Sequence, residues 1–154
     1  MPVEVGKKAP SFALKDQHGA SHRLPDYAGR PLIIYFYPKD DTPGCTKESC
    51  DFRDLLPDLT TSKAAVLGIS ILDEASKARF AKKHGLTFPL LADADHAVAD
   101  KYGVWQKKTR YGRTYMGIVR TTFLVGSDGR IAQRWDNVKV DGHASAVVEA
   151  VNAL

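Results

Sequence analysis

Cys45 and Cys50 are the only cysteines in this 154-residue chain, and they stand five positions apart beside Thr42-Pro43-Gly44. Thr42 suits a helix N-cap and Pro43 a first helical position, so a helix is expected to start here with Cys45 in its first turn. Unpaired backbone N–H groups and the positive end of the helix dipole favour an anion at that place, which gives a cysteine thiolate character and nucleophilicity. At about 100° per residue Cys45 shares a helix face with Phe52 and Leu56, the stripe that would pack on a sheet and shelter the thiol. Cys50 is turned about 140° away, with the two Cα atoms ~8.6 Å apart on an ideal helix. A disulfide wants a separation of about 4.4–6.8 Å, so a bond between them would require the helix to unwind locally.

Three chemistries compete for such a pair. A metal site would need a second pair of ligands, and His18, His22, His84, His96 and His143 form no recognisable set with the cysteines. His18 and His22 flank a turn at Gly19 and read as surface histidines. A thioredoxin-type dithiol would need C-x-x-C at the helix start, where this chain has Thr42-Pro43-Gly44-Cys45. The third chemistry is a single activated thiolate, with a hydroxyl three residues before it and a second thiol in reserve. The bland readings stand beside it: an inert core thiol at Cys45, an incidental Cys50, and Thr42 as a cap and nothing more. Trp105 and Trp135 read as packing residues.

These residues need elements to hold them. Pro31 to Pro38 is apolar without alternation, as in a strand buried on both faces, and Ala65–Ile71 reads as a second such strand. Between them lies the cysteine helix, and after them Glu74–His84 reads as a helix stopped by Gly85. That order implies parallel pairing across a crossover. Ahead of it, residues 11–14 and 22–24 flank a glycine-containing turn and read as an N-terminal hairpin. Behind it come a short apolar run at Phe88–Leu91, a short helix over Asp95–Tyr102, and two strands around Asp128-Gly129, a strong hairpin signal. Ala144, Val147, Val148 and Val151 make the last element an amphipathic helix, with Asp141 expected as its cap. Residues 1–154 are thus expected to form one α/β domain with a mixed central sheet, helices on both faces and an N-terminal β-hairpin.

Composition agrees with a globular enzyme or binding module: 44% hydrophobic, 26% charged. Met1–Lys8 has no apolar segment behind its positive charges, and the Leu32–Tyr37 run is far too short to span a bilayer, so a cytoplasmic protein without membrane association is expected. In that reducing compartment close cysteines are more often reactive than structural. Residues 101–134 hold eight Lys/Arg against the single acid Asp128, a local charge of +7, and read as a solvated basic loop or an anion-attracting field. Arg110 to Tyr115 interleaves aromatics with arginines, yet without a recognisable module no nucleic-acid partner is expected.

With the motif in place, the chain resembles the peroxiredoxins of the bacterioferritin-comigratory or peroxiredoxin Q type. Pro38 followed by Thr42-Pro43-Gly44-Cys45 is similar to that family's P-x-x-x-T-x-x-C signature, and the likeness extends through Phe88–Asp93, Lys108–Arg120 and Thr122–Leu124. It departs at Ile71–Ala75, where related sequences are more polar. The resemblance implies a thioredoxin-like fold and a thiol peroxidase acting in antioxidant defence. Cys45 would attack hydrogen peroxide or an organic hydroperoxide and become a sulfenic acid. Thr42 would align the reactants, Pro43 shield the sulfur and Arg120 stabilise negative charge. Cys50 would resolve the sulfenic acid as a Cys45–Cys50 disulfide, and thioredoxin or a similar dithiol would reduce it. The resemblance further implies a monomer and no cofactor. A redox-sensing binding module using the same cysteines is the competing function.

Overall fold

In the computed structural model of the chain, residues 3–154 are described; Met1 and Pro2, part of the N-terminal segment read above, lie outside them. The expected hairpin is present as β1 (Ala13–Lys15) and β2 (Ser21–Arg23), paired antiparallel. The apolar run between the two prolines forms β3 (Leu32–Phe36), buried along its whole length. Its side chains alternate between two cores: Leu32, Ile34 and Phe36 enter one, Ile33, Tyr35 and Tyr37 the other. That alternation is why a strand with no polar face sits in the middle of the sheet.

The cysteine helix follows as α1 (Pro43–Asp54), then a short α2 (Leu56–Thr61). β4 (Ala65–Ser70) returns parallel to β3, and α3 (Glu74–His84) ends at Gly85, whose φ of +64° suits a residue without Cβ. β5 (Leu90–Ala92) is parallel to β4, and α4 (Ala97–Lys101) leads to β6 (Trp105–Arg110) and β7 (Arg113–Ile118). β8 (Thr121–Val125) and β9 (Ile131–Trp135) pair antiparallel, and α5 (His143–Asn152) closes the chain. The sheet is mixed and seven-stranded, in the order β2-β1-β5-β4-β3-β8-β9. Residues of α1, α3 and α5 pack on one face and Val98 and Ala99 of α4 on the other, so helices do cover both faces.

Two local expectations are corrected. The basic stretch is no loop: β6 and β7 form a separate two-stranded sheet with six residue pairs from Trp105↔Ile118 to Arg110↔Arg113. Alternation was weak there because both faces carry polar residues. α5 is not capped by Asp141; Gly142, in a left-handed turn with φ +74°, holds the N-cap position without a side-chain bond. Asp141 instead lies 3.7 Å from Lys47 Nζ. Leu56 packs on the same core cluster as Cys45 and Phe52, as expected, but from a new helix, because α1 ends at Asp54 and Leu56 opens α2.

Candidate active site

α1 begins where its sequence says it should, with Thr42 at the N-cap and Pro43 first in the helix. Thr42 does not cap through its side chain; its hydroxyl donates to the Lys39 carbonyl at 3.0 Å, which leaves the oxygen's lone pairs free to accept. Cys45 follows in the first turn, where backbone N–H groups have no intrahelical acceptor, and is 1% exposed. The buried set of α1 is Cys45, Glu48, Ser49 and Phe52. Those positions are i, i+3, i+4 and i+7, one face of a helix, and two of the four are polar.

Each polar member has a specific partner. Ser49 and Tyr35 hydroxyls bond at 2.7 Å within the core. Glu48 Oε1 accepts from Arg120 Nη1 at 2.7 Å, while Arg120 Nη2 reaches Cys45 Sγ at 3.2 Å. One guanidinium thus forks between a sulfur and a carboxylate three residues apart on the same helix. Burial pulls the guanidinium toward losing its proton, but Glu48 and Cys45 outweigh it and the proton is held more tightly than usual. For Glu48, burial pushes the carboxyl up to about 7 against the pull of Arg120. Its Oε2 has no hydrogen-bond partner among the described residues, with His143 Nε2 4.0 Å away. His143 is pulled down to about 4 by burial and by Arg120, so it is neutral at neutral pH, and its Nε2 shares a 2.8 Å bond with the Thr122 hydroxyl.

Above the sulfur lies a cleft of about 510 Å³ whose lining includes Thr42, Cys45, Ile71, Lys108, Met116 and Arg120. β6 and β7 supply much of its wall. Lys108 donates to the Ile118 carbonyl at 2.8 Å, and burial, with Arg120 nearby, lowers its affinity for its proton. The cleft therefore has a cationic floor beside Cys45 and an apolar rim from Ile71 and Met116.

Thr42, Cys45 and Arg120 converge on this cleft, and Pro43 stands between the first two in the chain. Cys50 does not line it: the thiol is half-buried further along α1, and both cysteines are free. Glu48 escaped the sequence reading although its signal was present, as an acid at i+3 from Cys45 in a stripe that should be apolar. Gly44 lies inside the T-x-x-C motif, where the sequence assigns it no role of its own. Its constraint is space, since a Cβ there would lie 3.2 Å from Arg120 Nη2. The described residues contain no cluster of three or more His, Cys, Asp or Glu fit for a metal ion, and both His22 nitrogens are engaged by Tyr27 and Asp16.

Comparison with known proteins gives the family and the fold. Residues 5–134 match the profile of the AhpC/TSA family. Peroxiredoxin Bcp of Bacillus subtilis is 44% identical over 154 residues, 100% of this chain and 96% of its own length. Peroxiredoxin Bcp of Escherichia coli is 42% identical over 147 residues, 96% and 94% of the two chains. Among solved structures, a cysteine-to-serine variant of Xylella fastidiosa peroxiredoxin Q superposes with a TM-score of 0.94 at 36% identity, covering 99% of this chain and 98% of the other. The Xanthomonas campestris bacterioferritin comigratory protein, studied for alkyl peroxide reduction, gives 0.90 at 40% identity, covering 98% and 96%.

Proposed function

This chain belongs to the AhpC/TSA family, and we propose that it is a peroxidase in which Cys45 is the nucleophile and Cys50 its resolving partner. Its Bcp relatives are peroxiredoxins by name, and the thioredoxin-like fold is shared with them. One observation carries the assignment of the nucleophile. Cys45 sulfur sits in the first turn of α1, at the floor of a cleft, with the Arg120 guanidinium 3.2 Å away.

The chemistry runs in three balanced steps. The Cys45 thiolate attacks the nearer oxygen of the hydroperoxide; an S–O bond forms, the O–O bond breaks, and the departing oxygen takes a proton to leave as water or an alcohol. Thr42 Oγ1, its own hydrogen turned to Lys39, accepts from the peroxide O–H and aligns the O–O bond with sulfur. Arg120 and the first-turn amides stabilise the charge that moves onto the leaving oxygen, and Pro43 limits water at the sulfur. Next, Cys50 thiolate attacks the Cys45 sulfenic sulfur, the S–O bond breaks, hydroxide leaves as water and an S–S bond forms. An external dithiol, thioredoxin in this reading, then restores both thiols by exchange and is itself oxidised.

No flavin, nicotinamide or metal enters these steps. The cleft volume of about 510 Å³ far exceeds the ~30 Å³ that one water occupies, and its apolar rim suits an organic hydroperoxide as well as hydrogen peroxide. A single-domain monomer working in the cytoplasm completes the proposal; among the described residues no helix is long and apolar enough to cross a membrane. The names of the relatives favour a turning-over enzyme over a one-shot redox sensor.

Stopped-flow peroxide consumption tests the reading. Cys45→Ser is expected to lose reactivity with peroxide, and Cys50→Ser to complete one turnover and then accumulate sulfenic acid. A Cys45→Ser protein that still consumed peroxide would overturn the assignment.

A further inference from the structure

The turn that presents Thr42 is held by a buried charged pair that the reaction itself does not use. Lys77 lies on the inner face of α3 with Phe80 and Ala81, a place where an apolar side chain would serve, and it is 0% exposed. Its ammonium lies 3.3 Å from Asp40 Oδ1 and 3.4 Å from Oδ2, contacts Ser70 Oγ, and stands 5.1 Å from the Tyr37 ring centre. Asp40 also accepts from the Tyr37 hydroxyl at 2.5 Å and from Ser76 Oγ at 2.7 Å. Two residues before Thr42, one carboxylate is thus held by α3 through Lys77 and Ser76 and by Tyr37 just past β3, while β4 joins through Ser70 at the ammonium.

The next residue repeats the attachment at the surface. Asp41 is non-glycine with φ +59°, a conformation that costs energy and persists only where its surroundings impose it. Its carboxylate bonds Lys83 Nζ at 2.8 Å and His84 Nε2 at 2.9 Å, again on α3. Exposed pairs of that kind hold weakly, so the buried one dominates. Its contribution to net stability is nevertheless modest, because desolvating both charges offsets most of their attraction. What a buried pair of this sort supplies is a single geometry. Here that geometry fixes Lys39, whose carbonyl receives the Thr42 hydroxyl.

We propose that Lys77 is a positioning residue for peroxide reduction: through Asp40 it locks the Lys39–Thr42 turn of the cleft and so aims the Thr42 hydroxyl. The inference rests on the peroxidase reading above. Lys77 touches neither sulfur nor substrate; its charge attracts Cys45 only weakly from a distance, and the effect proposed here passes through the backbone. Burial lowers the affinity of Lys77 for its proton and Asp40 offsets only part of that, so the ammonium depends on its partner being in place.

Alignment by Thr42 matters for breaking an O–O bond in line with sulfur, whereas alkylation by iodoacetamide asks only for a reachable thiolate. The experiment compares both reagents at Cys45 in a Cys50→Ser background. Lys77→Met alone leaves Asp40 buried and unpaired, so the decisive variant is Lys77→Met with Asp40→Asn, which removes both charges and keeps the shape. The expected result is a melting temperature close to the parent, an iodoacetamide rate within about twofold, and a peroxide rate constant about ten- to a hundredfold lower. A folded double variant that kept the parent peroxide rate would overturn this inference alone, and equal losses with both reagents would show the pair to be merely structural. A Cys50→Ser parent that alkylated normally and ignored peroxide would overturn the peroxidase reading and this inference with it.

Discussion

At the scale of single residues, the site depends on one guanidinium being held between two acceptors. Arg120 would be free to swing toward solvent if Cys45 were its only partner; the 2.7 Å bond to the buried Glu48 carboxylate fixes the other arm of the fork. Gly44 completes the arrangement by leaving room for it. Adding a methyl group at that position places Cβ 3.2 Å from Nη2, so the guanidinium must move by a few tenths of an ångström or more. Gly44→Ala is therefore expected to lower the second-order rate constant with peroxide by about tenfold while changing stability by less than about 1 kcal/mol, since alanine is the better helix former. A crystal structure of the variant should show the Arg120–Cys45 distance lengthened. An unchanged rate would mean that Arg120 does not act at that distance. The thiol, hydroxyl and proline of this site were legible in the sequence because one short motif contains them. Glu48 could have been read from its helical phase. Asp40 and Lys77 could not: they are 37 residues apart, and only the packing of α3 against the turn brings them together.

At the scale of the element, the proposed cycle gives α1 two jobs that oppose each other. Wound, it gives Cys45 its first-turn amides and brings Arg120 to it; unwound, it lets Cys50 approach. The two side chains buried between the cysteines, Glu48 and Ser49, are tied to Arg120 and Tyr35, and both ties break when the segment opens. Glu48 makes the opening depend on pH. Burial raises its carboxyl from 4.5 to about 7 in the wound helix, so the wound state binds the proton more tightly than the open one. The stabilisation this gives the wound state is complete below about 4.5 and is lost as pH rises toward 7, so opening becomes easier at higher pH. Hydrogen exchange of the α1 amides, corrected for the intrinsic pH dependence of exchange, is expected to show protection falling between pH 5 and pH 7. In Glu48→Gln that slope should vanish; a slope unchanged in the variant would contradict the role given to Glu48. The helix itself was legible from Thr42-Pro43 and the spacing of Cys45 and Phe52. Its end had a signal as well, Pro57 two residues past the break at Leu55, although the face of Cys45 and Phe52 reads on across it to Leu56.

At the scale of the whole molecule, the sheet explains why the site is where it is. β3 is buried on both sides, paired parallel with β4 and antiparallel with β8. Its C-terminal end delivers the Pro38–Thr42 turn, and the residue just before β8 is Arg120. The fork to Cys45 thus joins two neighbouring strands of the same sheet. The strands and most helices could be read from apolar runs, glycine stops and the Asp128-Gly129 turn. The pairing of β6 with β7 could not, since a hairpin standing off the core with Tyr111 91% exposed has no buried face to impose a period. That hairpin brings Lys108 and Arg110 to the lining of the cleft, which ties part of the charge asymmetry to the site. In the proposed cycle one helix carries both redox partners and must open for them to meet. Peptide mapping by mass spectrometry, after one equivalent of peroxide and without reductant, tests it most directly. A Cys45–Cys50 disulfide within one chain is the expected product, whereas a covalent dimer, or an oxidised Cys50 beside an intact Cys45 thiol, would contradict the account.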